Sequence, residues 1–537
     1  MTFPVTFTWR IRNVRRSVGA AVATLYALSG YPGTMPTLGQ DLSHRQTQLA
    51  LEIVNPGGLT ADPTFDLTML RHDFRFGTQV NSNDYLHRAD VRDAVNQYFN
   101  SITLTGGLYW RISESNENNN YNDLFAAAAQ ANANNIDVRG HTILWPQNRG
   151  WLNPEDTLPE FTYKSWLGDG PIANPDYNPS VGDLKNRIDG RITDVLSQTT
   201  ASGNAWGAVI SDFDATNETI DRDDFRSPGV YGEAQDVFTP RLVDAGIYDS
   251  KIDAIADWYK QMKATRPGAR LVFNETAILP QTDDSEAEQL RDYVQDLLDA
   301  GTPIDAIGIQ MHMGRAVSLE DMNRRVNILA ETGLGVEITE FDNFNGAGRT
   351  EEQERQTFED ALRLAFENPN VEGFTMWGFN DADHWQGNAP LFDTNGNLKR
   401  EGQPYLDLVM GDWWTNRENL TADTAPPGEP ETVLTRGTYQ LDMNHAGQTL
   451  TQTFVIDTPH ARLAADPEAQ LIYLLGDMDG DDALRLDDAN AFFQAIADPA
   501  AYINRFGLAP SQRGDLDGDG NVDQGDYLAF AGFFDLD

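Results

Sequence analysis

Residues 207–218 read GAVISDFDATNE, and residues 335–342 read GVEITEFD. Each is a short apolar run that delivers a carboxylate at its end: Glu218 in the first, and Glu340 with Asp342 in the second. Near-continuous apolar runs of this length suit parallel strands buried on both faces. In a barrel of alternating strands and helices, the C-terminal strand ends build the active site. Two carboxylates facing one cleft are the minimal equipment for cutting a glycosidic bond.

Working outward, eight runs from Phe76 to Phe379 qualify as core strands: FGTQV (76–80), LTGGLYW (104–110), VRGHTILW (138–145), GAVISDF (207–213), RLVFNE (270–275), AIGIQMHM (306–313), GVEITEF (335–341) and EGFTMWGF (372–379). Helical patterns separate them at 122–135, 251–264, 286–301 and 351–368, several with acidic residues in the first turn, where they complement the helix dipole. The alternation predicts an α/β chain with a (β/α)8 barrel over 76–415. An open doubly wound sheet is the other arrangement this order permits, but no Gly-rich phosphate loop supports it. The stretch between Trp151 and Trp206 reads as a long loop leading into a helix at KNRIDGRITDVLSQ. Segments 42–75 and 430–458 read as β-rich and are expected to pair into a small accessory sheet; the alternative is two unrelated decorations.

Composition narrows the partners. The chain of 537 residues carries 82 acidic against 39 basic residues, a formal charge of −43. That argues against nucleic acid and against an anionic membrane surface. There is no cysteine, so disulfides and thiolate metal sites are excluded. Within residues 1–30, Arg10, Arg12, Arg15 and Arg16 precede the apolar run Val18 to Leu28. This reads as a secretory signal, hence a secreted or cell-surface protein, with an ordinary buried segment as the alternative. The run is too short for a membrane span.

At or near the strand ends stand Asn81, His141, Trp145, Asn217, Glu218, Asn274, Glu275, Gln310, His312, Glu340, Asp342, Trp377 and Trp385. Amides and carboxylates bond hydroxyls, and indole faces stack on the apolar faces of sugar rings. A phosphate substrate would call for Arg or Lys instead. The segments VRGHTILW, DATNE, GIQMH, ITEFD and WGFND with a following Trp resemble glycoside hydrolase family 10, the endo-β-1,4-xylanases, over about residues 70–415.

That resemblance implies a retaining hydrolase of xylan or a related β-glycan, with Glu218 as acid/base and Glu340 as nucleophile. It implies that Asn217 bonds the sugar 2-hydroxyl. His312 would bond Glu340 and be held by Asp342, with Asn274 in support. Gln310, His141, Trp145, Trp377 and Trp385 would shape the flanking subsites. Catalysis would need no cofactor. The family's Glu-Asn-x-Met-Lys-Trp stretch is altered here: Thr105 and Gly106 replace Glu and Asn, Tyr109 replaces Lys, and Pro146 replaces a His. These departures leave room for a decorated or different sugar, or for a barrel that binds carbohydrate without cutting it.

Residues 475–537 carry a second signal. Asp515, Asp517, Asp519, Asn521, Asp523 and Asp526 occupy positions 1, 3, 5, 7, 9 and 12 of a loop with Gly520 at position 6, the oxygen-ligand spacing of a Ca2+ loop. Asp477, Asp479, Asp481 and Asp488 repeat it, with Asp482 in place of the Gly and Arg485 at position 9. Two loop–helix repeats resemble a type I dockerin. This implies an all-α module that folds around Ca2+ and docks on a cohesin-like or anchoring partner; a calcium-stabilised tail without a partner is the alternative.

Overall fold

The structure is a computed structural model. It describes residues 8–13, 42, 44–54, 64–108, 121–148, 181–197, 209–210, 212–220, 235–236, 238–276, 278–343, 348–421, 432–445, 448–456, 488–506 and 522. The chain divides into two compact units, one built on Phe74–Asp412 and one on Leu42–Asp73 with Trp413–Asp537.

In the first unit, eight parallel strands close on themselves: β1 (Arg75–Asn81), β2 (Ser101–Thr105), β3 (Asp137–Leu144), β4 (Asp212–Asn217), β5 (Arg270–Glu275), β6 (Ala306–Ile309), β7 (Gly335–Asn343) and β8 (Val371–Met376). Each pairs with the next, and β8 returns to β1. This is the (β/α)8 barrel expected from the alternation. A short strand, His312–Met313, extends the pairing along β7.

Helices follow the strands for local reasons. Ser250 and Ser318 cap Lys251–Thr265 and Leu319–Ala330 by accepting from the third backbone N–H. Thr350 and Gln353 form a reciprocal capping box at the head of Glu351–Glu367. The faces turned inward carry the apolar residues, as with Ile255, Trp258, Tyr259 and Met262.

Two strand expectations are corrected. LTGGLYW is not the second strand; SITLT is, and Gly106 ends it at φ +91°. The fourth strand starts at Asp212 rather than 207, and all six of its residues are buried. Its two aspartates are buried with arginines that neutralise them. Asp214 pairs with Arg139 at 2.7 Å, and Asp212 pairs with Arg75 at 3.0 Å and Arg270 at 3.2 Å. Glu337 joins the same network through Arg139 at 3.2 Å and through Arg75 and Arg270. Burial pushes the Glu337 carboxyl up, but Arg270, Arg75 and Arg139 hold it well below the usual carboxylate range. These groups stand in the first three positions of their strands, so the N-terminal end of the barrel is closed by paired charge.

In the second unit, strand Thr64–His72 lies between Asn416–Thr421 and Gly437–His445, and Gln448–Ile456 completes an antiparallel sheet of four. Gln46–Val54 pairs with Thr432–Thr435 on one side and with Thr8–Asn13 on the other. Of residues 1–30, only 8–13 are described, and they form this strand. Toward the C-terminus the helices Asp488–Ala497 and Pro499–Phe506 are described, joined by a hydrogen bond from Arg505 to Gln494 at 3.1 Å. The metal-ligand candidates from Asp477 to Asp481 and from Asp515 to Asp526 lie outside the described residues, and Asp488 is described only as the first residue of its helix. Among the described residues, no helix is long and apolar enough to cross a membrane.

Candidate active site

The C-terminal mouth of the barrel gathers the predicted residues. Asn217 is the last residue of β4, and Glu218 follows it with φ +53°. A non-glycine residue in that left-handed region costs about 1–3 kcal/mol and persists only where its surroundings enforce it. Here the Glu218 N–H donates to the Asn274 carbonyl on β5 at 2.9 Å. The Glu218 carboxylate, 1 % exposed, accepts from Trp145 Nε1 at 3.3 Å and from Gln310 Nε2 at 2.8 Å.

Glu340, inside β7, is 4 % exposed. Its Oε1 accepts from Asn274 Nδ2 at 2.9 Å, and its Oε2 meets His312 Nε2 at 3.1 Å. The other imidazole nitrogen, Nδ1, meets Asp342 Oδ2 at 2.9 Å. A neutral imidazole donates through one nitrogen only, so two carboxylates on its two nitrogens call for the cation. Burial lowers the His312 pKa, but Asp342 and Glu340 together raise it to about 10. Asp342 is pushed up by burial and pulled further down by His312 and His384, well below the usual carboxylate range. Trp385 Nε1 also donates to Asp342 Oδ2, at 2.7 Å.

Amides tie the two glutamates into one frame. Thr339 Oγ1 donates to Asn274 Oδ1 at 2.7 Å, which orients that amide. Asn274 Nδ2 then serves both Glu340 and Asn217 Oδ1, the latter at 2.8 Å. Asn217 Oδ1 also accepts from Gln310 Nε2 at 3.1 Å, and Gln310 closes the chain onto Glu218. Every catalytic, substrate-binding and supporting candidate of the barrel therefore stands in one hydrogen-bonded or ring-contact cluster. His141 packs edge-on against Trp377 at 5.0 Å and Trp145 at 5.9 Å between ring centroids.

Sequence reasoning passed over several members. Asp214 holds His141 Nδ1 at 2.8 Å, although it sits four residues before Glu218 in the quoted stretch. His384, directly before Trp385, approaches Asp342 at 3.5 Å. At the altered second strand, the Thr105 hydroxyl accepts from Gln79 Nε2 at 2.5 Å. A side chain on Gly106 would collide with the Asn81 amide, 2.8 Å from its Cβ position. Tyr109 lies outside the described residues. No group of three or more metal-ligating side chains is gathered among the described residues.

A (β/α)8 barrel with two buried carboxylates held in an amide frame at its C-terminal mouth has the construction of a glycoside hydrolase. The sequence profile of Glycosyl hydrolase family 10 matches residues 67–403, and the chain belongs to that family. Endo-1,4-beta-xylanase 1 of Arabidopsis thaliana is 24 % identical over 350 residues, covering 64 % of this chain and 31 % of that protein. The anti-sigma-I factor RsgI6 of Acetivibrio thermocellus is 23 % identical over 429 residues, 77 % of this chain and 48 % of that one. The chain thus spans less than half the length of either relative. The solved structure of native xylanase 10C from Cellvibrio japonicus superposes with a TM-score of 0.51 at 23 % identity, over 63 % of this chain and 71 % of that one, a likeness of fold.

Proposed function

We propose that this chain is a retaining glycoside hydrolase acting on β-1,4-linked xylan or a related β-glycan. Glu340 is the nucleophile and Glu218 the acid/base. The observation that carries the assignment of roles is the imidazolium of His312 clamped between Glu340 and Asp342. The imidazolium donates to Glu340 Oε2 and so orients the carboxylate that attacks.

In the first step a Glu340 oxygen bonds to the anomeric carbon as the glycosidic C–O bond breaks. The proton of Glu218 passes to the departing oxygen. In the second step the ionised Glu218 takes a proton from water, the water oxygen bonds to the anomeric carbon, and Glu340 leaves as carboxylate. A double displacement of this kind needs the carboxyls roughly 5–5.5 Å apart. With Asn217 Oδ1 occupied by Asn274 and Gln310, the Nδ2 end of that amide is the one offered to a sugar hydroxyl. Trp385, 43 % exposed, offers an indole face to a sugar ring.

The named xylanases among the relatives support xylan as substrate. A decorated or different β-linked sugar is a second reading, favoured by one observation: the Thr105 hydroxyl is engaged by Gln79 and Gly106 has no side chain, where the family offers polar groups to sugar. Reducing-sugar release from a panel of β-glycans, with Glu340→Ala as control, tests the proposal. Binding without release by the unmutated protein would sink it in favour of a non-catalytic carbohydrate-binding barrel.

For residues 475–537 we propose a Ca2+-dependent module that docks on a cohesin-like or surface-anchoring partner of a secreted enzyme. The ligand spacing at Asp515–Asp526 and its partial repeat support it.

A further inference from the structure

We propose that Glu275 is a positioning residue that holds Glu218 in its working orientation. The inference rests on the acid/base reading of Glu218. Glu275 is the last residue of β5 and is 1 % exposed. Its Oε1 collects three donors from the two residues that follow Glu218: Thr219 N–H at 2.7 Å, Thr219 Oγ1 at 2.8 Å and Ile220 N–H at 3.3 Å. Its own carbonyl accepts the Gln310 N–H at 2.8 Å. Gln310 is the residue whose side-chain amide grips the Glu218 carboxylate at 2.8 Å. One residue therefore fixes both the chain leaving Glu218 and the amide that orients its carboxylate.

The backbone explains why such a clamp is needed. Glu218 stands at φ +53°, a conformation that the chain leaves unless neighbours enforce it. The preceding residue, Asn274, secures the Glu218 N–H, and Glu275 secures what comes after. If the clamp is lost, the turn relaxes toward negative φ, and the carboxyl swings away from the departing oxygen while β4 and β5 remain paired. Among the described residues, the Glu275 carboxylate accepts from Thr219 and Ile220 and from none of the sugar-facing side chains named above, so its effect runs through Glu218. Burial pushes its carboxyl up to about 7, against the pull of Thr219, Lys251 and Ile220. Oε1 can accept from Thr219 and Ile220 whether or not the other oxygen carries the proton, so glutamine is a close mimic.

The test compares two substrates: the β-glycan the protein cleaves best, and the 2,4-dinitrophenyl β-glycoside of its disaccharide, whose leaving group departs without a proton. Glu218→Ala should lose about 10²- to 10⁴-fold in kcat/KM on the glycan and far less on the aryl glycoside. Glu275→Ala should copy that pattern at about 10- to 100-fold on the glycan, carried by kcat rather than KM. Glu275→Gln should recover most of that loss. Thr219→Val, which deletes one of the three donors, should show the same selectivity on a smaller scale and serves if Glu275→Ala does not fold. Equal losses on both substrates in Glu218→Ala would overturn the acid/base reading itself. A selective loss in Glu218→Ala with equal losses, or none, in Glu275→Ala and Thr219→Val would overturn the positioning role alone.

Discussion

Replacing His312 by alanine removes the cation that separates two carboxylates. Its Nε2 lies 3.1 Å from Glu340 and its Nδ1 lies 2.9 Å from Asp342. After the change Glu340 keeps the Asn274 amide, and Asp342 keeps the Trp385 indole at 2.7 Å. With the imidazolium gone, Asp342 loses the charge that holds it below the usual carboxylate range, and Glu340 loses its charged donor. A hydrogen bond to a charged group is worth about 1.5–3 kcal/mol, or roughly 10- to 150-fold in rate if it is lost from the nucleophile. The acidic limb of the kcat/KM profile should therefore move to higher pH, and activity at pH 6 should fall more than activity at pH 8. His312→Gln returns one N–H donor without the charge, so it should regain some rate but not the position of the limb. Steady-state kinetics from pH 4 to 9 decide the matter. A limb that stays in place in both variants, with kcat within about threefold of the parent, would refute the role given to the cation.

Other consequences follow from the same contacts. Arg139→Met leaves Asp214 and Glu337 buried without their shared guanidinium, so it should lower unfolding stability by about 3–5 kcal/mol, read by urea denaturation. Trp385→Phe keeps a ring but loses the N–H to Asp342, so it should lower kcat while KM stays within about twofold; Trp385→Ala should raise KM about fivefold as stacking worth about 1 kcal/mol is lost. Titration calorimetry of the full chain should show Ca2+ binding that disappears in Asp515→Ala/Asp526→Ala, and unchanged binding would remove the ligand assignment.

Much of this was legible in sequence because the barrel's strand ends are punctuated by chemistry. RLVFNE reads as a strand and is one, residue for residue. ITEFD puts Glu340 and Asp342 two residues apart, and the period of two in a strand turns both to one side, where His312 spans them. The fourth strand lies further along than the expected run: it continues past Phe213 through Asp214, whose burial depends on Arg139, remote in sequence. No local pattern announces such a pairing. The second strand was misread for a different reason: LTGGLYW is apolar enough for a strand, but Gly106 takes a left-handed turn within it. The clamp by Glu275 is invisible in sequence, since it needs the β4–β5 register to bring Thr219 to it.

The most direct test of the account is to trap the covalent intermediate. Incubation with an activated 2-deoxy-2-fluoro β-glycoside of the preferred sugar, followed by peptide mass spectrometry, should find the glycosyl group on the peptide containing Glu340. Glu340→Ala should carry no label. A stoichiometric label on any other side chain, or products released with inverted anomeric configuration, would contradict the double displacement through Glu340.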